Sequence, residues 1–409
     1  MVMTRYVGDQ YGVMMWGWGF VSTFAAVTDL GLGSANIKYV SEGHDKNTCF
    51  STLLVLKTVL IGTMSALVIS SLVISSKNND LSPEMVSIIA VFLLYYVLMG
   101  IQTVIMQTFT GRLENGKVSI LTLSEYSVRT TVLIGLAVAG ASAYTLSLAY
   151  VIGCVISLSI AIILLKKINL RLVKPTMARM YIKFAAPLAI SICLIAFVNS
   201  FDKVMVGMFN GTREVGYYAA VAGIVWGFSM LSNSLNAVML PHLARYDYER
   251  DRKSVEKLLW RTHKYLFMLT LPFIAVFILL APQICSMLFG EAFRPSGPML
   301  AGMSGVVCFF AYVGLGAQVL YSTNKGRVYS VTATVSMLVT LCLFFLLIPN
   351  ELFGIKMLGL GGEGAAIALS LGYVIHAVMI SVAVKRAIGV APYPGLWKHM
   401  ASFIASFAL

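Results

Sequence analysis

The stretch Val118–Gly140, VSILTLSEYSVRTTVLIGLAVAG, is long and apolar enough to read as a membrane-spanning helix, yet it carries Glu125 and Arg129 near its middle. A charge at the centre of a bilayer costs about 2.5–3.5 kcal/mol on insertion scales, so such residues face a protein interior or an aqueous cavity. Lys57 and Lys203 also stand within apolar runs. Buried positive charge of this kind suits a transporter with an anionic cargo.

The composition agrees. The 409 residues are 58% hydrophobic and 11% charged. A soluble chain of this length needs far more charged surface, so the fold class is an all-α integral membrane protein. The net charge of +13 would suggest nucleic acid as partner in a soluble protein. Here its distribution follows membrane topology, and no nucleic acid is implied. The six cysteines are scattered, the five histidines lack zinc-type spacing, and no Walker-type loop is present. No cofactor, catalytic residue or metal ligand is called for, and no cleavable signal peptide is visible.

Apolar runs of about twenty residues give eleven full spans, near 12–35, 50–75, 85–110, 118–140, 143–166, 182–208, 215–238, 264–282, 296–322, 327–348 and 362–384. A twelfth begins near Trp397 and stops at Leu409. The connecting segments sort by charge: one alternating set holds 22 Lys and Arg and the other 5. By the positive-inside rule the rich set is cytoplasmic. The longest connection, from about Pro241 to His263, is basic and is expected to form an amphipathic segment on the inner membrane surface.

A shift of 204 residues places Tyr11-Gly12 on Val215-Gly216, Gly19 on Gly223, Val21 on Val225, Phe24 on Phe228 and Asp29 on Asn233. A weaker echo pairs Gly116-Lys117 with Gly326-Arg327, each following a span with a glutamine, Gln107 or Gln318. Matched spans run the same way, which implies two parallel-repeat lobes. The basic linker Lys166–Lys183 is their natural joint, giving an N-terminal lobe over 1–170 and a C-terminal lobe over 171–409.

The motifs Arg5-Tyr6-Val7-Gly8, Tyr11-Gly12, Asp29-Leu30-Gly31-Leu32-Gly33 and Tyr39-Val40-Ser41-Glu42 come in this order near the N-terminus. In the second half, Ala186-Pro187 opens a span and Asp202-Lys203 lies near its outer end. Val215-Gly216-Tyr217-Tyr218-Ala219-Ala220 follows a turn at Gly211, and Leu240-Pro241-His242-Leu243-Ala244-Arg245 closes the next span. Together these resemble the polysaccharide flippases of the O-antigen and teichuronic-acid type, in the multidrug/oligosaccharidyl-lipid/polysaccharide (MOP) exporter superfamily. The resemblance implies a V-shaped bundle of two helical lobes in the cell membrane. It also implies transport of lipid-diphosphate-linked oligosaccharides from the cytoplasmic to the outer leaflet, with a polysaccharide polymerase or glycosyltransferases as partners. Such proteins have twelve or fourteen spans, so about 12 membrane segments are expected here, with the first family span and the C-terminal end missing.

Arg129 has two readings. It faces a cavity and takes the cargo's diphosphate, or it forms a neutral structural pair with Glu125 at i, i+4. The hydroxyls of Thr122, Ser124, Ser127 and Thr130 tilt the helix towards a wet cavity. Lys57 either serves the same cavity or snorkels to the headgroups, and Lys203 either binds cargo or pairs with Asp202. Ser229, Asn233 and Asn236 share a helix face with Ser232, as a sugar-binding stripe or as interhelical glue. Asp29 binds a coupling cation or caps nearby backbone. Asp29, Asp202 and Glu125 are the acidic candidates for ion coupling or structure. Three rivals stand: a multidrug/cation antiporter of the same superfamily, a membrane enzyme acting on the same glycans, and an inactive flippase fragment.

Overall fold

The computed structural model describes residues 1–77, 81–166, 171–243, 252–323 and 325–390, excepting the side chains at 76, 77, 229, 231–238 and 240–243. These residues form helices α1 (Val2–Tyr6), α2 (Gly8–Ala25), α3 (Leu32–Ser41), α4 (Lys46–Lys77), α5 (Pro83–Gly111), α6 (Asn115–Val138) and α7 (Ala143–Lys166). Then come α8 (Ala178–Asn210), α9 (Thr212–Leu243), α10 (Arg252–Leu279), α11 (Ala281–Phe289), α12 (Gly297–Ser322), α13 (Gly326–Leu347) and α14 (Gly361–Ile388). An antiparallel hairpin of β1 (Glu351–Leu352) and β2 (Ile355–Lys356) joins α13 to α14.

The helix ends follow local chemistry. Ser82 caps α5 by accepting the Met85 amide at 3.3 Å, with Pro83 in the first turn where its missing N–H costs nothing. Asp45 accepts the Thr48 amide at 2.8 Å and starts α4. Gly389, at φ 69°, ends α14 in the left-handed region that a Cβ disfavours. Within the helices, hydroxyls such as Thr58 and Ser65 return their protons to the carbonyl one turn back, so they need no water.

Among the described residues, eight helices are long and apolar enough to cross a membrane: α4, α5, α7, α8, α10, α12 with the turn before it, α13 and α14. Helices α2, α6 and α9 stand where three further spans were expected, but are not among those eight. In α6 the reason is the charged pair and the hydroxyls. The expected first span, 12–35, is corrected: α2 ends at Ala25, and a 3-10 turn Ala26–Thr28 leads to α3. Leu30 and Gly31 take φ of 47° and 88°, which no membrane helix continues through. The span expected at 264–282 starts a full three turns earlier, at Arg252. Of the basic connection expected to lie on the membrane, 244–251 falls outside the described residues, as does the twelfth segment near Trp397.

The chain divides into two compact units, 2–204 and 205 onward. The sequence places the joint at 170/171, whereas the units divide at 204/205, because most of α8 packs on the first unit. The buried Tyr181 hydroxyl donates to Asn36 Oδ1 at 2.8 Å, and Asn36 Nδ2 donates to Thr108 at 3.4 Å. Gly31 lies against Ala185 and Ile192, and Gly19 against Ser200 and Lys203. In this unit α5 packs against α2, α3, α4 and α7, and α6 against α7. In the second unit α12 is central, against α9, α10 and α14, with α13 on α14.

Candidate functional site

Among the described residues, three ion pairs with at least one buried member stand in the interior of the first unit. The first is built by the turn after α2. The left-handed residues Leu30 and Gly31 reverse the chain so that Asp29 points towards α4 and α5. Lys57 Nζ lies 2.7 Å from Asp29 Oδ1 and donates to Thr103 Oγ1 at 3.1 Å. Gln107 Nε2 donates to the same Asp29 oxygen at 3.1 Å. The Lys57 side chain is 4% exposed and that of Asp29 35%. Lys57 therefore does not snorkel; its charge is held inside by one carboxylate. It stands about 16 Å along α4 from Lys46, at 1.5 Å per residue. Gln107 is pressed against Gly33, which has no Cβ to block the amide. The buried Gln107 Oε1 has no hydrogen-bond partner among the described residues.

The second pair joins Glu125 and Arg129, 3.5 Å apart on α6. Glu125 also accepts from Tyr95 at 3.3 Å and from Gln102 at 3.2 Å. The Gln102 amide further donates to Ser157 at 2.9 Å and receives the Cys154 thiol at 3.2 Å. The Arg129 guanidinium stacks between Tyr126 and Tyr150, 4.5 and 4.7 Å from their ring centres. Gly153 on α7 allows the close approach, since a Cβ there would stand 3.0 Å from Arg129 Cβ and from the Glu125 carbonyl. Arg129 is thus matched in charge and wrapped in aromatic faces.

The third pair is Asp202–Lys203 at 3.0 Å, both buried. Lys203 Nζ also donates to the Asn199 carbonyl at 3.2 Å and lies 5.4 Å from the centre of the Trp18 ring. Ser229, Asn233 and Asn236 lie along α9, and their side chains fall outside the described residues.

Sequence reasoning marks Asp29 and Lys57 separately and does not join them. It misses Thr103, Gln102, Tyr95, Tyr150 and Trp18. Gln107 enters only as half of an internal echo. The available signal was polarity inside apolar runs: Gln102, Thr103 and Gln107 all interrupt α5, and each meets a charged residue or its partner.

A helical bundle with eight described helices long and apolar enough to cross a membrane, and matched charges in its interior, defines a multi-pass membrane protein. Its sequence matches the family described as polysaccharide biosynthesis protein over residues 2–298, and the chain belongs to that family. A relative, the probable low-salt glycan biosynthesis flippase Agl15 of Haloferax volcanii, is 21% identical over 379 residues, covering 91% of this chain and 75% of that protein. Among solved structures, an inward-facing multidrug resistance MATE family transporter aligns with a TM-score of 0.72 at 12% identity, covering 95% of this chain and 92% of that one. The lipid II flippase MurJ, in an inward closed conformation, aligns with a TM-score of 0.71 at 15% identity, covering 99% and 87%. At these identities the structural likeness speaks for the fold alone.

Proposed function

We propose that this protein is a flippase of the MOP superfamily, a transporter rather than an enzyme, and that it moves lipid-diphosphate-linked oligosaccharides from the cytoplasmic to the outer leaflet by alternating access, in polysaccharide biosynthesis. The observation that carries the reading is Lys57: a buried cation whose carboxylate partner, Asp29, is itself partly exposed. A diphosphate brings more negative charge than one carboxylate and can take Asp29's place beside Lys57, as charge-assisted hydrogen bonds favour. Arg129 and Lys203 are secondary cargo contacts in this proposal, each already matched by Glu125 or Asp202. Ser229, Asn233 and Asn236 are proposed to face sugar. Asp29 is proposed to couple transport to an ion, with Asp202 and Glu125 in lesser roles. Two parallel halves joined at 170/171, about twelve membrane segments, and a polymerase or glycosyltransferases as partners belong to the same proposal. Membership of the family and the relative named for glycan biosynthesis support it.

The second reading is a multidrug/cation antiporter. It is favoured by the MATE transporter, whose likeness in fold equals that of MurJ. In that case a cationic cargo displaces Lys57 from Asp29. Proteoliposomes separate the two. Inside-to-outside movement of a polyprenyl-diphosphate oligosaccharide, lost in Lys57→Gln, is the expected result. Movement of a cationic dye without glycolipid, lost in Asp29→Asn, would overturn it.

A further inference from the structure

Helix α10 is unbroken from Arg252 to Leu279 and has two unlike faces. Val255, Leu259, His263, Leu266, Phe267, Thr270, Ile274 and Phe277 are buried. On the exposed side, Lys253, Lys257, Arg261 and Lys264 fall within an arc of about 80° at 3.6 residues per turn. The sole acidic residue in that stretch, Glu256, lies off the arc and is half-buried. Arg252 is engaged elsewhere, bonding the Gly389 carbonyl at the end of α14. The exposed side then turns apolar, through Tyr265, Met268, Leu269, Val276 and Leu279. The same side of one helix therefore passes from four cations to an apolar surface suited to lipid tails.

Length fixes where the change falls. Tyr265 to Leu279 is 15 residues, or about 22 Å, against a hydrocarbon core of about 30 Å. To cross, α10 must draw Lys264 and Arg261 to the boundary of the core, where their stems lie along apolar surface and their charges reach the headgroups. Lys257 and Lys253 then stand one and two turns further out, at phosphate level and beyond.

We infer that this stripe is a binding surface for anionic phospholipid headgroups of the inner leaflet. Four cations on successive turns present one row of donors to lipid phosphates, and the apolar residues below accept the tails. The inference rests on the positive-inside orientation and is independent of the cargo proposed above.

The test uses the full chain in detergent with phosphatidylglycerol or phosphatidylcholine added, and retained lipid counted by native mass spectrometry. Wild type is expected to retain phosphatidylglycerol in preference, with a preference that shrinks as salt rises. Each neutralisation among Lys253→Gln, Lys257→Gln, Arg261→Gln and Lys264→Gln is expected to lower it about fivefold. Lys385→Gln with Arg386→Gln on α14 is expected to leave it unchanged. Equal retention of the two lipids by wild type would overturn the inference without recourse to any variant. So would a preference that survives in a quadruple variant of unchanged far-UV circular dichroism, or one lost equally in the α14 variant. Displacement of phosphatidylglycerol by a soluble prenyl diphosphate at matching stoichiometry would assign the stripe to cargo instead.

Discussion

The Asp29–Lys57 pair is asymmetric, and that predicts unequal costs for removing its two halves. In Asp29→Asn the ammonium of Lys57 stays inside a side chain 4% exposed, with the Thr103 hydroxyl at 3.1 Å as its remaining neighbour. Breaking a buried pair from one side in this way costs about 3–5 kcal/mol. In Lys57→Gln the orphan is Asp29, which is 35% exposed and keeps the Gln107 amide at 3.1 Å. Water and that amide hold the expected cost to about 1–2 kcal/mol. The double variant leaves no charge unmatched and is expected to lie close to Lys57→Gln, within about 1 kcal/mol. The double-mutant cycle should therefore return a coupling equal to the Asp29→Asn cost, about 3–5 kcal/mol. The assay is unfolding of the purified chain in mixed micelles on titration with a denaturing detergent, followed by far-UV circular dichroism. Equal costs for the two single variants, or coupling below about 0.5 kcal/mol, would refute the reasoning, because Lys57 would then be solvated rather than held by Asp29.

Arg129→Ala strands Glu125 among Tyr95 and Gln102 and is expected to destabilise by about 3–5 kcal/mol; it should also abolish glycolipid movement. Glu125→Gln with Arg129→Gln should restore most of the stability, and full glycolipid movement in that variant would confine Arg129 to structure. Gly33→Ala puts a methyl where the Gln107 amide lies, so Gln107 must leave Asp29; its cost of about 1 kcal/mol should not add to that of Gln107→Ala in a stability titration. At the turn between α5 and α6, burial raises the Glu114 carboxyl, but hydrogen bonds from Lys117 and Arg112 outweigh it and hold the group below its ordinary 4.5. Its contribution is thus present above pH 4.5 and lost as pH falls through the lower folded value. Wild type should exceed Glu114→Gln in stability by about 0.5 kcal/mol near neutrality and converge with it in acid. Labelling with a membrane-impermeant thiol reagent should find Lys253→Cys protected from outside and Lys77→Cys accessible; the reverse pattern would invert the topology.

Eight of the expected spans were legible because transfer from water dominates everything else about a twenty-residue apolar run, and the described helices long and apolar enough to cross a membrane stand at those places. What failed at 12–35 was the assumption that apolar continuity means one helix. Gly31 and Gly33 within Asp-Leu-Gly-Leu-Gly held the signal, since glycine permits both the reversal and the approach of Gln107. The Glu125–Arg129 pair was legible from i, i+4 spacing, because one helix carries both charges. Asp29 and Lys57 sit on different elements 28 positions apart, and hydropathy says nothing about which helices touch. The allegiance of α8 was hidden for the same reason: the basic linker before it marks where the chain leaves the membrane, not where packing changes partner.

That allegiance also sets an order for biogenesis. Seven helices of the first unit precede α8 in the chain, yet Asn36, which is fully buried, meets the Tyr181 hydroxyl only after α8 has been made. Until the ribosome has released residues up to about Lys203, the nascent bundle holds an open seam beside Gly31 and Gly19, and a polar amide with one of its partners still missing. A ribosome that pauses within 171–204 therefore leaves in the membrane an intermediate with polar groups facing lipid. Insertion factors and membrane proteases have a chemical mark there by which to recognise an unfinished chain.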